Sequence, residues 1–121
     1  MTGPLAGRTV IDLTTALAGP YATLLLASLG ARVIKVENPA TGGDSSRNNS
    51  PYVSADGLQM RRTTPDDMSV SMMARGRGKE SMTLNLKHPA SREIFFDLVR
   101  DADIVVENYS AGVTKRLGID Y

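Results

Sequence analysis

The chain has 121 residues, 41% of them hydrophobic, with 14 basic residues against 13 acidic ones and a formal charge of +1. That is enough apolar chain for one ordinary soluble domain, and the balanced charge offers no general attraction to nucleic acid or to a membrane surface. Cysteine is absent and His88 is the single histidine, so disulfides, thiolate metal centres and thiol nucleophiles are excluded, and a lone histidine does not make a metal site.

Residues 1–8 read as a lead-in, because Pro4 and Gly7 discourage regular structure. Residues 10–13 are a brief apolar run followed by the polar turn Thr14-Thr15. A helix is predicted from near Gly19-Pro20, since proline at the first helical position has a suitable fixed φ and lacks an N–H that would be unpaired there. Residues 21–29 are apolar almost throughout, so this helix is expected to be buried on more than one side. Gly30 closes it, and residues 32–36 resume as a second strand. Strand, turn, helix and strand form the minimal unit of a parallel α/β sheet, whose ligands bind at the carboxyl edge. Function is therefore expected around residues 14–20. The apolar run is too short to cross a bilayer and the N-terminus has no signal-peptide pattern, so a cytoplasmic protein is expected.

Residues 38–71 are rich in Gly, Ser, Asn, Asp and Pro. They are predicted to form a long excursion, a lid, a binding loop or a mobile segment, with Met68, Met72 and Met73 pinning its far end. Residues 74–79, ARGRGK, read as a solvated basic loop, with Arg77 and Lys79 as the weaker phosphate candidates. Residues 81–86 alternate like a half-buried strand. Pro89 then opens a helix carrying Ile94, Phe95, Leu98, Val99 and Ala102 at helical spacing, with His88 in a structural role before it. Residues 103–107 contain an apolar strand suited to a sheet interior. Residues 108–112 form a turn at a second functional edge, and residues 113–117 a short helix closed by Gly118. Asp12 is the tempting nucleophile, but a fixed acceptor for turn N–H groups is the preferred reading. Asp103 and Glu107 read as structural or solvated, and no catalytic residue is assigned.

These motifs together resemble the N-terminal part of the family III CoA-transferases (CaiB/BaiF type), which include formyl-CoA transferase, carnitine CoA-transferases and α-methylacyl-CoA racemases. The resemblance is carried by Leu5-Ala6-Gly7 with residues 10–14, Ala18-Gly19-Pro20, Leu29-Gly30-Ala31 with residues 33–37, Gly78-Lys79 with residues 81–87, residues 103–109, Gly112-Val113 and Arg116-Leu117-Gly118. It implies a Rossmann-like parallel sheet with flanking helices, the N-terminal part of the family's large domain. Residues 1–121 are then a single CoA-binding segment with a long loop at 38–80, without the catalytic remainder. In the family's transferases an aspartate attacks the acyl-CoA thioester, giving an enzyme-bound anhydride and CoA thiolate, which divides one acyl exchange into easier steps. That aspartate lies beyond Tyr121, so this chain is expected to be inactive alone.

For CoA, the resemblance implies contacts from Leu84, Lys87, Asn108, Tyr109 and Arg116, with Thr15, Leu17 and Ala18 near the thioester end. These residue types match the chemistry of the nucleotide, because adenine needs a flat or apolar neighbour such as Tyr109 or Leu84, and phosphates need cations and donors. Each also has a plainer role, in the core or in solvent. Asn38 stands where the family often has arginine, removing a charge-assisted contact, and Gly76 and Glu80 replace a commoner asparagine and arginine. No metal and no cofactor is implied; CoA thioester enters as substrate. The implied partners are an acyl-CoA and a small carboxylic acid, and a longer form is expected to be an interlinked homodimer. Three further readings stay open: a racemase or isomerase of the same family, a non-catalytic nucleotide-binding module suggested by Glu37 at the end of its strand, and a truncated inactive chain. Against the module, the turn TTALAGP lacks the G-x-G-x-x-G that brings backbone close to a pyrophosphate.

Overall fold

The computed structural model describes residues 2–121. The chain runs β1 (Thr9–Asp12), α1 (Ala18–Ser28), β2 (Arg32–Glu37), β3 (Tyr52–Ser54), β4 (Gly57–Gln59), β5 (Met68–Ser69) and α2 (Val70–Arg75). It returns through β6 (Lys79–Thr83), α3 (Ser91–Arg100), β7 (Ile104–Val106) and α4 (Val113–Leu117). The main sheet has four parallel strands in the order β6-β2-β1-β7. This is the α/β, Rossmann-like architecture that the sequence predicts. Strands following β1 in sequence are added first to one side of it and then to the other, so the order reverses between β1 and β7. The carboxyl ends diverge there and open a crevice.

Alternation along the strands distributes the core to both faces. Val10 and Val33 pack with Ala27 and Ala31 on the α1 face, whereas Ile11, Leu13 and Val36 surround Phe95 on the α3 face. Asp12 lies in register with Lys35, and Val33 with Lys79, so these three ionic side chains share the α1 face with the valines. Apolar strands thus carry buried charges on one side only.

Several expectations are corrected. Helix α1 buries Gly19, Pro20, Thr23, Leu24 and Ala27, while Leu17, Tyr21, Leu25 and Leu29, spaced every fourth residue, stand exposed. One stripe meets the sheet; apolar composition does not reveal how many faces find a partner. Strand β7 pairs only with β1 among the described residues, leaving Ile104 and Val105 exposed on an edge rather than inside the sheet. Residues 38–71 are not structureless. They contain short 3₁₀ turns at Pro39–Thr41 and Ser45–Asn48 and an antiparallel sheet ordered β4-β3-β5, whose strands are too short for a visible period. Only Met72 of the three methionines is buried. Strand β6 begins at Lys79 and ends at Thr83, earlier than expected, and Leu84 extends it by donating its N–H to the Glu37 carbonyl at 2.9 Å. No helix among the described residues is long and apolar enough to cross a membrane.

Gly19 lets the start of α1 approach the turn after β1. A Cβ there would lie 2.3 Å from Thr14 Cβ, and Thr14 is itself buried. Gly19→Ala is therefore expected to destabilise the chain by about 1–3 kcal/mol through overpacking, read as a lower urea midpoint. An unchanged midpoint would mean that the turn yields without cost.

Candidate functional site

The turn after β1 has every backbone polar group of Thr14, Thr15 and Ala16 paired with a side chain from elsewhere. Thr14 N–H donates to Asp12 Oδ1 at 2.9 Å, and its carbonyl accepts from Lys35 Nζ at 2.9 Å. Asn108 takes the Thr15 N–H on Oδ1 at 3.1 Å and donates Nδ2 to the Thr15 carbonyl at 2.9 Å. Ala16 N–H donates to Asp44 Oδ1 at 3.0 Å, and its carbonyl accepts from Ser46 Oγ at 2.9 Å. Ala16 holds φ at 69°, a left-handed conformation that costs a residue with a Cβ about 1–3 kcal/mol. The surrounding side chains offset that cost.

Buried ion pairs support the turn. Lys79 Nζ donates to Asp12 Oδ2 at 3.0 Å, to the Pro20 carbonyl at 3.0 Å and to Thr23 Oγ1 at 2.7 Å. Thr23 in turn donates to Asp12 Oδ2 at 2.6 Å. Lys35 Nζ stands 2.8 Å from Asp44 Oδ2. Glu37 accepts the Asp44 N–H at 2.7 Å and a bidentate pair from Arg47 at 2.8 and 2.6 Å. Burial pushes the Asp12 carboxyl up, but hydrogen bonds from Thr14 and Thr23 and the Lys35 charge together hold it below its ordinary value. Burial likewise raises Asp44, and Lys35 with the Ser46 and Ala16 amides brings it below the usual range. Glu37 is raised by burial and lowered further by Arg47. These carboxylates are ionised acceptors, each engaged by donors and cations of the protein itself. Lys79, considered above as a phosphate ligand, has its donors committed inside the protein; the basic loop ends in a buried cation.

Beside the turn lies a cleft of about 220 Å³, lined by Leu13, Thr15, Val36, Asn38, Gly43, Asp44, Leu84, Lys87 and Tyr109 among others. A second, of about 540 Å³, adjoins it through shared Leu86, Lys87, Val113 and Leu117, and adds His88, Arg92 and Arg116. The first is largely apolar and the second carries the cations. A ligand with an apolar or aromatic part and an anionic part fits this polarity. His88 Nδ1 accepts the Ala90 N–H at 3.1 Å.

The expected site residues divide accordingly. Thr15, Leu84, Lys87 and Tyr109 meet in the first cleft, and Lys87 and Arg116 in the second. Asn108 grips Thr15 with both ends of its carboxamide, which leaves one N–H and one lone pair for anything else. Leu17 and Ala18 line neither cleft. Leu84 and Tyr109 also border the core around Phe95, and burial raises the Tyr109 phenol above its usual value. Sequence reasoning missed Arg92, His88, Asp44, Ser46 and Lys35 at this edge. Only Lys35 left a signal, as a cation set between the apolar residues Ile34 and Val36 of β2.

Fold and site together define a Rossmann-like α/β protein with a fully hydrogen-bonded turn and an amphipathic cleft at the carboxyl edge of its sheet. The profile of CoA-transferase family III matches residues 5–121, and the chain belongs to that family. It is 44% identical over 119 residues to an acetyl-CoA:oxalate CoA-transferase from Acetobacter aceti, covering 98% of this chain and 27% of that protein. It is also 44% identical to a succinyl-CoA:mesaconate CoA-transferase from Haloarcula marismortui, with 98% and 28% covered. A crystal structure of a CaiB/BaiF family protein from Brucella suis superposes with a TM-score of 0.84 at 35% identity, covering 100% of this chain and 30% of that one. The chain thus spans less than a third of the length of these relatives.

Proposed function

We propose that this chain is the CoA-binding portion of an acyl-CoA:carboxylate CoA-transferase. The observation that carries the reading is the polarity of the paired clefts: adenine against Leu84 and Tyr109, phosphates toward Lys87 and Arg116, in a chain of this family. In the reaction an aspartate carboxylate adds to the thioester carbonyl and expels CoA as thiolate, leaving a mixed anhydride; the acceptor acid exchanges for the donor acid, and the thiolate re-attacks. The nucleophile lies outside residues 1–121. Asp12, Glu37 and Asp44 support that placement, because each is held by cations and N–H or O–H donors that a nucleophile must shed. The relatives from Acetobacter aceti and Haloarcula marismortui are CoA-transferases by name, which supports transfer over racemisation. Glu37 already accepts from Arg47 twice and from the Asp44 N–H, which leaves one lone pair for a ribose hydroxyl and counts against a dinucleotide module. The partners of the whole protein are then an acyl-CoA and a small carboxylic acid, and its assembly an interlinked cytoplasmic homodimer.

The test is calorimetric titration of CoA into the chain and into a Lys87→Ala, Arg116→Ala double variant. Both side chains are exposed, so folding is expected to persist. Hydrogen bonds to charged groups contribute about 1.5–3 kcal/mol each, so affinity is expected to fall by about a hundredfold or more. Equal binding by the two proteins would sink the cleft assignment.

A further inference from the structure

We infer that Ser46 and Asp44 are positioning residues for this site: reaching back from the segment after β2, they hold Ala16 in its left-handed conformation and so keep the Thr15 wall of the first cleft in binding shape. The inference rests on reading that cleft as the CoA site. Ala16 is the only non-glycine residue with positive φ among the described residues. Glycine would take that conformation without steric cost, but a residue with a Cβ needs its neighbours to impose it. The neighbours are specific. Asp44 Oδ1 takes the Ala16 N–H and Ser46 Oγ caps its carbonyl, so the peptide units on either side of Ala16 are both gripped from residues about thirty positions away. The grip is itself braced. Asp44 is held by Lys35 at 2.8 Å and by the Ser46 N–H at 2.8 Å, and Ser46 Oγ receives Arg75 Nη2 from α2 at 3.0 Å. Thr15 and Asp44 both line the cleft, whereas the Ala16 side chain is exposed and lines neither cleft. What matters at position 16 is therefore the backbone conformation, not side-chain contact.

The test separates positioning from ordinary packing. Ser46→Ala removes the carbonyl grip without leaving the Lys35 charge unpaired, as Asp44→Asn would. Two readouts are taken: CoA affinity by calorimetry, and amide hydrogen exchange of Ala16 relative to Ile11 in β1. Ser46→Ala is expected to weaken CoA binding roughly tenfold, the equivalent of about one hydrogen bond, and to speed Ala16 exchange while Ile11 stays protected. Adding Ala16→Gly is expected to bring affinity back to within about threefold, because glycine adopts the conformation unaided. Failure of that rescue, or an unchanged Ala16 exchange rate in Ser46→Ala, overturns the inference, since lost packing at position 46 is not repaired at position 16. Should Ser46→Ala not fold, Ala16→Val decides instead. An exposed valine is neutral if conformation is unimportant, but it is expected to abolish measurable binding here, because a β-branched residue resists positive φ; unaltered binding overturns the inference. If the parent chain binds no CoA while exchange responds as expected, the CoA reading falls and the positioning of the turn stands.

Discussion

Replacing Asp12 with alanine is expected to remove about 3–5 kcal/mol of stability, because deleting one member of a buried ion pair leaves the other charge uncompensated. Asp12 is fully buried, and the Lys79 ammonium 3.0 Å away has a side chain only 2% exposed. Without the carboxylate, Lys79 keeps the Pro20 carbonyl and Thr23 Oγ1 as acceptors but has no direct counter-charge, and the Thr14 N–H loses its acceptor too. Domains of this kind have a total stability of about 5–15 kcal/mol, so the loss is a large fraction of the whole. Urea unfolding should show a lower midpoint at unchanged slope. Asp12→Asn keeps an acceptor without the charge and should fall between. A loss below about 1 kcal/mol would show that Lys79 finds another partner or water. Acid supplies an independent check. The folded-state value of Asp12 lies below the ordinary aspartate value of 3.8, so its contribution is complete above the unfolded value and is lost as pH falls through the lower folded one. In Asp12→Ala the stability should therefore depend less steeply on pH in that acid range.

How much of this was legible depends on how far apart the interacting residues lie. The β1–α1–β2 unit was readable because its signals are local: Pro20 near the helix start, Gly30 at its end and apolar strands on either side. The same holds for α3, where Phe95, Leu98 and Val99, with Ala102 just past its end, reach the core at helical spacing, although Ile94, assigned to the same face, is exposed. The position of the turn at residues 14–20 followed from the unit itself. Its internal design did not. Whether Ala16 adopts positive φ is decided by Asp44 and Ser46, which no short-range pattern connects to it. Lys79 reads as the end of a solvated basic loop because ARGRGK alternates cations with small residues; only the pairing of β6 with β2 places it over the α1 face beside Asp12. The small sheet β4-β3-β5 was hidden for another reason, since strands of two or three residues carry no measurable period. The Asn108 carboxamide carries a second role that resemblance does not reveal: residue type and place agree with a ligand donor, and both ends of the amide also hold Thr15, leaving one N–H and one lone pair.

Phe95→Ala is expected to cost about 3–5 kcal/mol through lost burial and the cavity left behind, and to weaken the cleft from a distance. Phe95, 2% exposed, is the side chain around which Ile11, Leu13 and Val36 close, and it fastens α3 to the sheet. Leu84, Leu86 and Tyr109 pack on the same cluster and, with Leu13 and Val36, form walls of the first cleft. The wall that is to receive a ligand is thus the outer side of the layer whose inner side Phe95 fills. Interiors are packed as densely as organic crystals, so a void beneath Leu84 and Tyr109 lets them relax inward and away from the ligand. CoA affinity should therefore fall together with the urea midpoint, even though Phe95 lines neither cleft. Phe95→Leu, which refills most of the volume, should recover most of both. Titration below the melting transition of the variant separates the two effects: a folded Phe95→Ala chain that binds CoA as tightly as the parent would mean that the cleft wall is held by the β6 and β7 backbones alone, independently of the core beneath it.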